Sequence, residues 1–510
     1  MIMGLFSAKS SHPLADAREL KKVLEGLLTM TAAAGLDETR IWLESLETAE
    51  DLKPDERLAI ILQLDEATMP HARRHGREFL SDTPLGRSEE YRLWNANHNY
   101  WKQLVSTYEA CLQSIRASGK WPKSLEAQQA LAYARILMAY ASVIKWAMFR
   151  HGPIDGTYWQ GAGAVYLAAQ AAKLQGKTVL PYPHGRETSV GLEYLQLLML
   201  HSSSANKLMP VNVEIAERLV AYLVPDLVFT DQVDPANVYW VDISKPLPPT
   251  RLAKLPELTP TLRFLRPGAA MGKIAAIKAA IEKDGVVPPD LQLGGQYPAD
   301  MVLSVLDHLS LNWQDAPPMR SHQRRQIKSK LAVIHGLATI HDRLTIGRSY
   351  FDDTPADEEW LVDDLSMGGM GAQSPFSTND WIRIGALIAM QPEGGDNWLI
   401  GMVRRYQRGE KRGAAGIQTL GKAPRAIVAD GRGLATSLLL LNLTALPVAG
   451  QAMSVDGVMA SDDFEPGIAL QAQVDNQKLR IIPQSLVERG PDFIIVRFQI
   501  EAIPAGALAS

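Results

Sequence analysis

The chain has a single cysteine, Cys111. A lone thiol closes no intramolecular disulfide and builds no cysteine-rich metal site, which fits a reducing, cytoplasmic compartment. The opening Met1-Ile2-Met3-Gly4-Leu5-Phe6-Ser7 has neither a basic lead nor a long apolar stretch, so it does not read as a secretory signal. Long apolar runs are also missing. The strongest, 131–149, carries Arg135 and Lys145 and reads as a buried amphipathic helix, so no membrane insertion is expected. There is no excess of basic charge: 52 Lys and Arg face 56 Asp and Glu, a net −4. Bulk capture of nucleic acid is therefore not expected, and any basic function must be local.

Enzyme signatures are equally scarce. The 11 histidines are scattered without metal-ligand spacing, and no metal is expected. His71 and His75 stand four apart, but Arg73 and Arg74 lie between them and no HExxH glutamate is present. The stretch Gly268-Ala269-Ala270-Met271-Gly272-Lys273 has the wrong glycine spacing for a phosphate loop, and Ile274 stands where a hydroxyl is needed. Gly161-Ala162-Gly163 lacks a third glycine, and no GxSxG elbow occurs. The expectation is a protein that is not an enzyme, with no catalytic residue and no cofactor.

What is present divides the chain. At 510 residues it exceeds one ordinary core. Residues 1–225 read as helix after helix: Pro54 suits a first helical position with Asp55 and Glu56 in the first turn, and Leu58, Ile61 and Leu62 follow near helical spacing. Similar patterns cover 20–28, 91–115, 127–149, 161–174, 189–200 and 213–224. Residues 226–317 read as a mixed α/β connector, with short strands at 228–230 and 238–241 and helices at 271–282 and 300–311. From Lys330 the period changes to strands with Gly-rich turns, predicting a small antiparallel β-barrel over 318–425 and a β-rich C-terminal domain over 426–510. The fold class expected is multidomain α+β.

Within the barrel, 320–330 holds five basic and no acidic residues, and Asp364-Leu365-Ser366-Met367-Gly368-Gly369 follows a predicted strand. Arginines supply planar forks for phosphates and purine edges. Asp364 offers an acceptor, Ser366 a switchable donor, and the glycines let backbone approach without a Cβ. Such a set suits a small, doubly anionic, guanine-bearing ligand.

Arg320-Ser321-His322-Gln323-Arg324 resembles the RxxxR element of PilZ domains, and Asp364 to Gly369 resembles their [D/N]xSxxG element. The later strands 384–389, 400–405 and 415–418 look similar, so the resemblance spans about 318–425. PilZ domains are bacterial receptors for cyclic di-GMP. The resemblance implies a six-stranded barrel with 320–330 as a mobile arm before the first strand. Arg320 and Arg324 would grip phosphates and guanine edges, with Arg325 as an extra contact. Asp364 and Ser366 would bind guanine and orient the arm, and Gly368 and Gly369 would leave room. Two arginine frames remain open, Arg320/Arg324 and Arg324/Lys328. The separation of Arg324 from Asp364 implies a loop inserted around 342–357. The implied function is a cytoplasmic cyclic di-GMP receptor that regulates an unidentified protein partner through the helical domain, in motility, pili or biofilm control. A degenerate barrel in a scaffold that binds partners without nucleotide is the other reading. Oligomeric state and nucleotide stoichiometry stay open.

Overall fold

The computed structural model describes residues 10–81, 85–316, 323–346, 358–375, 381–409, 411–431, 434–448 and 451–503. The chain forms two compact units, 1–318 and 319–510.

The first unit is built on α1 (Ala17–Leu27), α2 (Ala32–Glu47), α3 (Pro54–Phe79), α4 (Arg87–Ala117), α5 (Gln129–Phe149), α6 (Gly156–Ala171), α7 (Val190–Ser202) and α8 (Pro210–Leu223). Their starts follow capping chemistry. Thr31, Asp155 and Ser189 accept from backbone N–H groups at the heads of α2, α6 and α7. Pro54 opens α3 with Asp55 and Glu56 in its first turn, as the sequence predicts. Helix α5 is buried on nearly every face and forms the centre of the array. Helix α2 was not expected from apolar spacing, because its alanines and glycine carry little periodic signal; the Thr31 cap was the available clue.

A four-stranded antiparallel sheet follows in the order β1 (Val228–Thr230), β4 (Leu262–Arg266), β2 (Tyr239–Asp242), β3 (Thr250–Arg251), and then α9 (Ala270–Asp284) and α10 (Ala299–Trp313). Val241 and Leu265 of the sheet and Trp313 of α10 belong to the same apolar cluster as the helices. Inside it, the fully buried Asp65 carboxylate accepts from Tyr108 at 2.8 Å and Tyr182 at 3.0 Å beside Arg135, and burial pushes its carboxyl up to about 6.

The second unit is two closed six-stranded antiparallel barrels. The first contains β5 (Arg325–His335), β6 (Glu358–Ser366), β7 (Gly369–Pro375), β8 (Leu387–Pro392), β9 (Leu399–Gln407) and β10 (Arg412–Gly421). The second contains β11 (Arg425–Gly431), β12 (Leu434–Leu440), β13 (Ala452–Met459), β14 (Leu470–Val474), β15 (Gln477–Arg489) and β16 (Ile494–Ala502). The first closes in the cycle β5-β6-β7-β10-β9-β8 and the second in β11-β12-β13-β16-β15-β14. Numbered within each barrel, both read 1-2-3-6-5-4, so the topology is repeated.

Alternation fills each interior. Leu331, Val333, Trp360, Met370, Val403 and Ile417 pack the first core, and Ile427, Leu438, Leu479, Val496 and Phe498 the second. A separate apolar cluster joins the barrels through Ile334, Leu387, Ile400, Leu439, Phe493 and Ile495. Helix α11 (Leu337–Ile346) completes it with Ile340, while His341 Nε2 lies 3.0 Å from the Ile427 carbonyl oxygen.

Two local expectations change. An inserted loop was expected around 342–357, but an amphipathic helix, α11, already runs from 337 to 346, and 347–357 lie outside the described residues. The predicted arm 320–330 is strand from Arg325 onward, because β6 and β8 both need β5 as a ladder partner to close the barrel.

Candidate functional site

The hairpin between β6 and β7 builds the corner of interest. Ser366 and Gly369 are paired, so Met367 and Gly368 form its two-residue turn. Ser366 Oγ donates to the Gly369 carbonyl at 2.9 Å, and the Gly368 carbonyl accepts from Thr419 N at 3.0 Å, which ties the turn to β10. At Gly369 a Cβ would run into the Ile417 carbonyl oxygen, so the close approach of β7 and β10 requires glycine there.

Asp364 lies two residues before the end of β6. Its Oδ1 accepts from Gly371 N at 3.1 Å. One terminal nitrogen of Arg324, in the residue just before β5, donates to both carboxylate oxygens at 2.6 and 2.8 Å. This pair spans 40 positions of sequence and is about one-quarter exposed on each side. The segment ahead of β5 and the Asp-Ser-Gly hairpin thus meet at one point.

Arg325 is exposed and stands opposite Leu365. Lys328 is exposed too, at a register shift of β5 between Gln326 and Ser329, so Arg324 is the basic residue that reaches the hairpin from the described part of this segment. Arg320 lies outside the described residues, as do Ser321 and His322. Leu365 and Met367 are 41% and 74% exposed at the rim, soft apolar groups of the kind on which a purine face can rest.

Cross-strand register reveals a floor that sequence reasoning missed. Asp364 pairs with Gly371, Gly371 with Gly416, and Gly416 with Arg405. Side chains directly opposite one another share a face, so two glycines form a strip without side chains of its own, buried beneath those of Asp364 and Arg405. Three strand spacings make that strip about 14 Å wide. The Arg405 side chain lies where a Gly416 Cβ would stand, and a Gly371 Cβ would be 3.0 Å from the Asp364 carboxylate oxygens. The signal lay in Met370-Gly371-Ala372 and Ala415-Gly416-Ile417, where glycine replaces the outward residue between two inward ones.

A side-chain-free strip that is covered by the Arg405 guanidinium and the Asp364 carboxylate can hold a planar, anionic ligand if those two side chains turn outward to meet it. Guanidinium forks take phosphate oxygens and the carboxylate takes ring N–H groups. Among the described residues no group of three or more His, Cys, Asp or Glu is placed to hold a metal ion. No helix among them is long and apolar enough to cross a membrane.

Residues 18–234 match the family model of the cyclic-di-GMP receptor FimW, N-terminal domain. The matched stretch runs from the first turn of α1 to just beyond β1, under half of the chain, and includes neither barrel. No curated protein matches the chain.

Proposed function

We propose that this chain is a cyclic di-GMP receptor whose first, PilZ-like barrel takes the nucleotide and whose helical region passes the signal to a protein partner. The observation that carries the reading is the meeting of Arg324 with Asp364 at the glycine hairpin. Two segments that share no residues support the same ligand. The PilZ resemblance rests on about 318–425, whereas the match to a cyclic-di-GMP receptor's N-terminal domain rests on 18–234.

In this reading Arg324 exchanges its Asp364 contact for a ligand phosphate or guanine edge, with Arg320 and Arg325 as neighbouring donors. Asp364, thereby released, accepts from guanine N–H groups, and Ser366 steadies the hairpin. Gly368 leaves the turn without a side chain, Gly369 lets β7 pack against β10 beneath it, and Arg405 closes the far wall. Ordering of the segment ahead of β5 is the proposed switch, biased by ligand contacts made in only one of its states. The process governed is motility, pili or biofilm control, in the cytoplasm.

Calorimetric titration of the full chain with cyclic di-GMP tests the reading, alongside Arg324→Ala and Asp364→Ala. Micromolar binding by the natural chain, lost in both variants, supports it; binding untouched by both variants rejects this corner. One feature favours the scaffold reading: Arg324 and Asp364 already satisfy each other. A scaffold's captured partners would be the same with and without nucleotide.

A further inference from the structure

A second arginine, Arg404, stands at the edge of the same corner but is turned away from it. Along β9 and β10 the register passes from Arg405–Gly416 to Val403–Ile417, which leaves Arg404 as the extra residue of a bulge. Bulges re-aim side chains. Here the Arg404 Nε donates to Gln418 Oε1 at 2.6 Å, and Gln418 is the register partner of Gly369 in the motif hairpin. The rest of the guanidinium grips Glu488 of the second barrel with two hydrogen bonds, one of them 2.7 Å from its terminal nitrogen to Oε2. Glu488 sits beside another register shift, between Leu486 and Glu488 on β15. Both side chains are 35% exposed.

Resting on the receptor reading, we propose that Glu488 is a competing anion supplied by the second barrel: it occupies Arg404 while the site is empty, and a phosphate of the bound cyclic dinucleotide takes Arg404 from it. The geometry sets up the competition. The guanidinium is anchored at Nε to Gln418, the register partner of Gly369, so its two terminal nitrogens need only turn about that anchor to leave Glu488 and face a ligand at the motif hairpin. Its fork serves one bidentate acceptor at a time. A partly exposed carboxylate pair is weak enough for a dianionic ligand to displace. The apolar cluster between the barrels does not depend on this pair, so the exchange alters a polar contact at the junction without parting the barrels. By linkage, whatever strengthens the Arg404–Glu488 contact must weaken nucleotide binding by the same factor.

The experiment is calorimetric titration of the full chain with cyclic di-GMP, using the natural protein, Glu488→Gln, Arg404→Gln and the double variant. Glu488→Gln should bind about two- to fivefold more tightly, Arg404→Gln more weakly, and the double variant should match Arg404→Gln alone. A contact that merely supports structure would weaken binding when removed, never tighten it. Glu488→Gln affinity equal to or below that of the natural chain overturns the proposal, and so does tightening that persists in the Arg404→Gln background. If the natural chain itself binds no cyclic di-GMP, the receptor reading fails, which is a different outcome from binding that ignores Glu488. An upfield or downfield move of the Arg404 Nε–H resonance on adding nucleotide gives an independent check, and its absence in a chain that does bind counts against the exchange.

Discussion

The two barrels share one strand order and differ at one corner. Counted from the first residue of each opening strand, Arg325 faces Leu365 and Gln326 faces Asp364 in the first barrel, while Arg425 faces Leu440 and Ala426 faces Leu439 in the second. The position that holds a part-exposed carboxylate in one barrel thus holds a fully buried leucine in the other. Leu439 belongs to the apolar cluster that docks the barrels together. Beyond β12, the Asn442 side chain accepts from Lys422 N at 2.9 Å and donates to the Leu420 carbonyl at 3.3 Å. The chain ahead of the second barrel is therefore stitched to its corner through backbone atoms, whereas Arg324 is held by an ion pair that water and anions can reach. Topology alone does not make a receptor; the difference lies in which face is spent on packing.

That contrast can be attacked from both sides. Leu439→Ala should cost most in stability, about 2–5 kcal/mol, read as a shift of the urea midpoint, because it opens a cavity between the barrels. Next, Arg324→Ala or Asp364→Ala should weaken cyclic di-GMP binding about tenfold to a hundredfold in calorimetry. Gly371→Leu should lower affinity by about tenfold or more with an unchanged circular dichroism spectrum, since its side chain displaces the Asp364 carboxylate. Arg405→Ala should cost about tenfold in affinity. The smallest effect belongs to the second barrel: Asn442→Ala should lose about 1 kcal/mol of stability and leave nucleotide affinity unchanged. Equal losses of affinity from the Asn442 and Asp364 variants would erase the distinction between the corners.

Much of the helical unit was legible because apolar spacing near 3.6 marks a buried face directly, as at Leu58, Ile61 and Leu62 of α3, whereas α5, read as amphipathic, is buried on nearly every face. The hairpin was legible because Asp364, Ser366, Gly368 and Gly369 are neighbours in sequence. The Arg324 contact crosses 40 positions and could be expected only through the PilZ resemblance. Arg405, Gly371 and Gly416 were missed for a different reason: closure brings β9, β10 and β7 side by side out of chain order, and no short pattern reports that. Strands β11 and β13 were not separated out in the β-rich stretch, since Ser454, Asp456 and Gly457 interrupt any clean alternation. The first half of β5 was misread as an arm because, from Arg325 to Lys330, it is polar except for an exposed Ile327 and so carries no inward signal on that side.

Closure has a further consequence. A sheet bent round on itself leaves little unpaired ladder, and among the described residues what is left lies where closure is partial, as on the β8 side of β5 ahead of Leu331 and on the β13 side of β12 ahead of Leu439. Elsewhere on that half of the chain, recognition goes through side chains on curved walls and hairpin tips. The four-stranded sheet of the other half ends at β1 and β3, strands of three and two residues, so its edges carry only a short ladder.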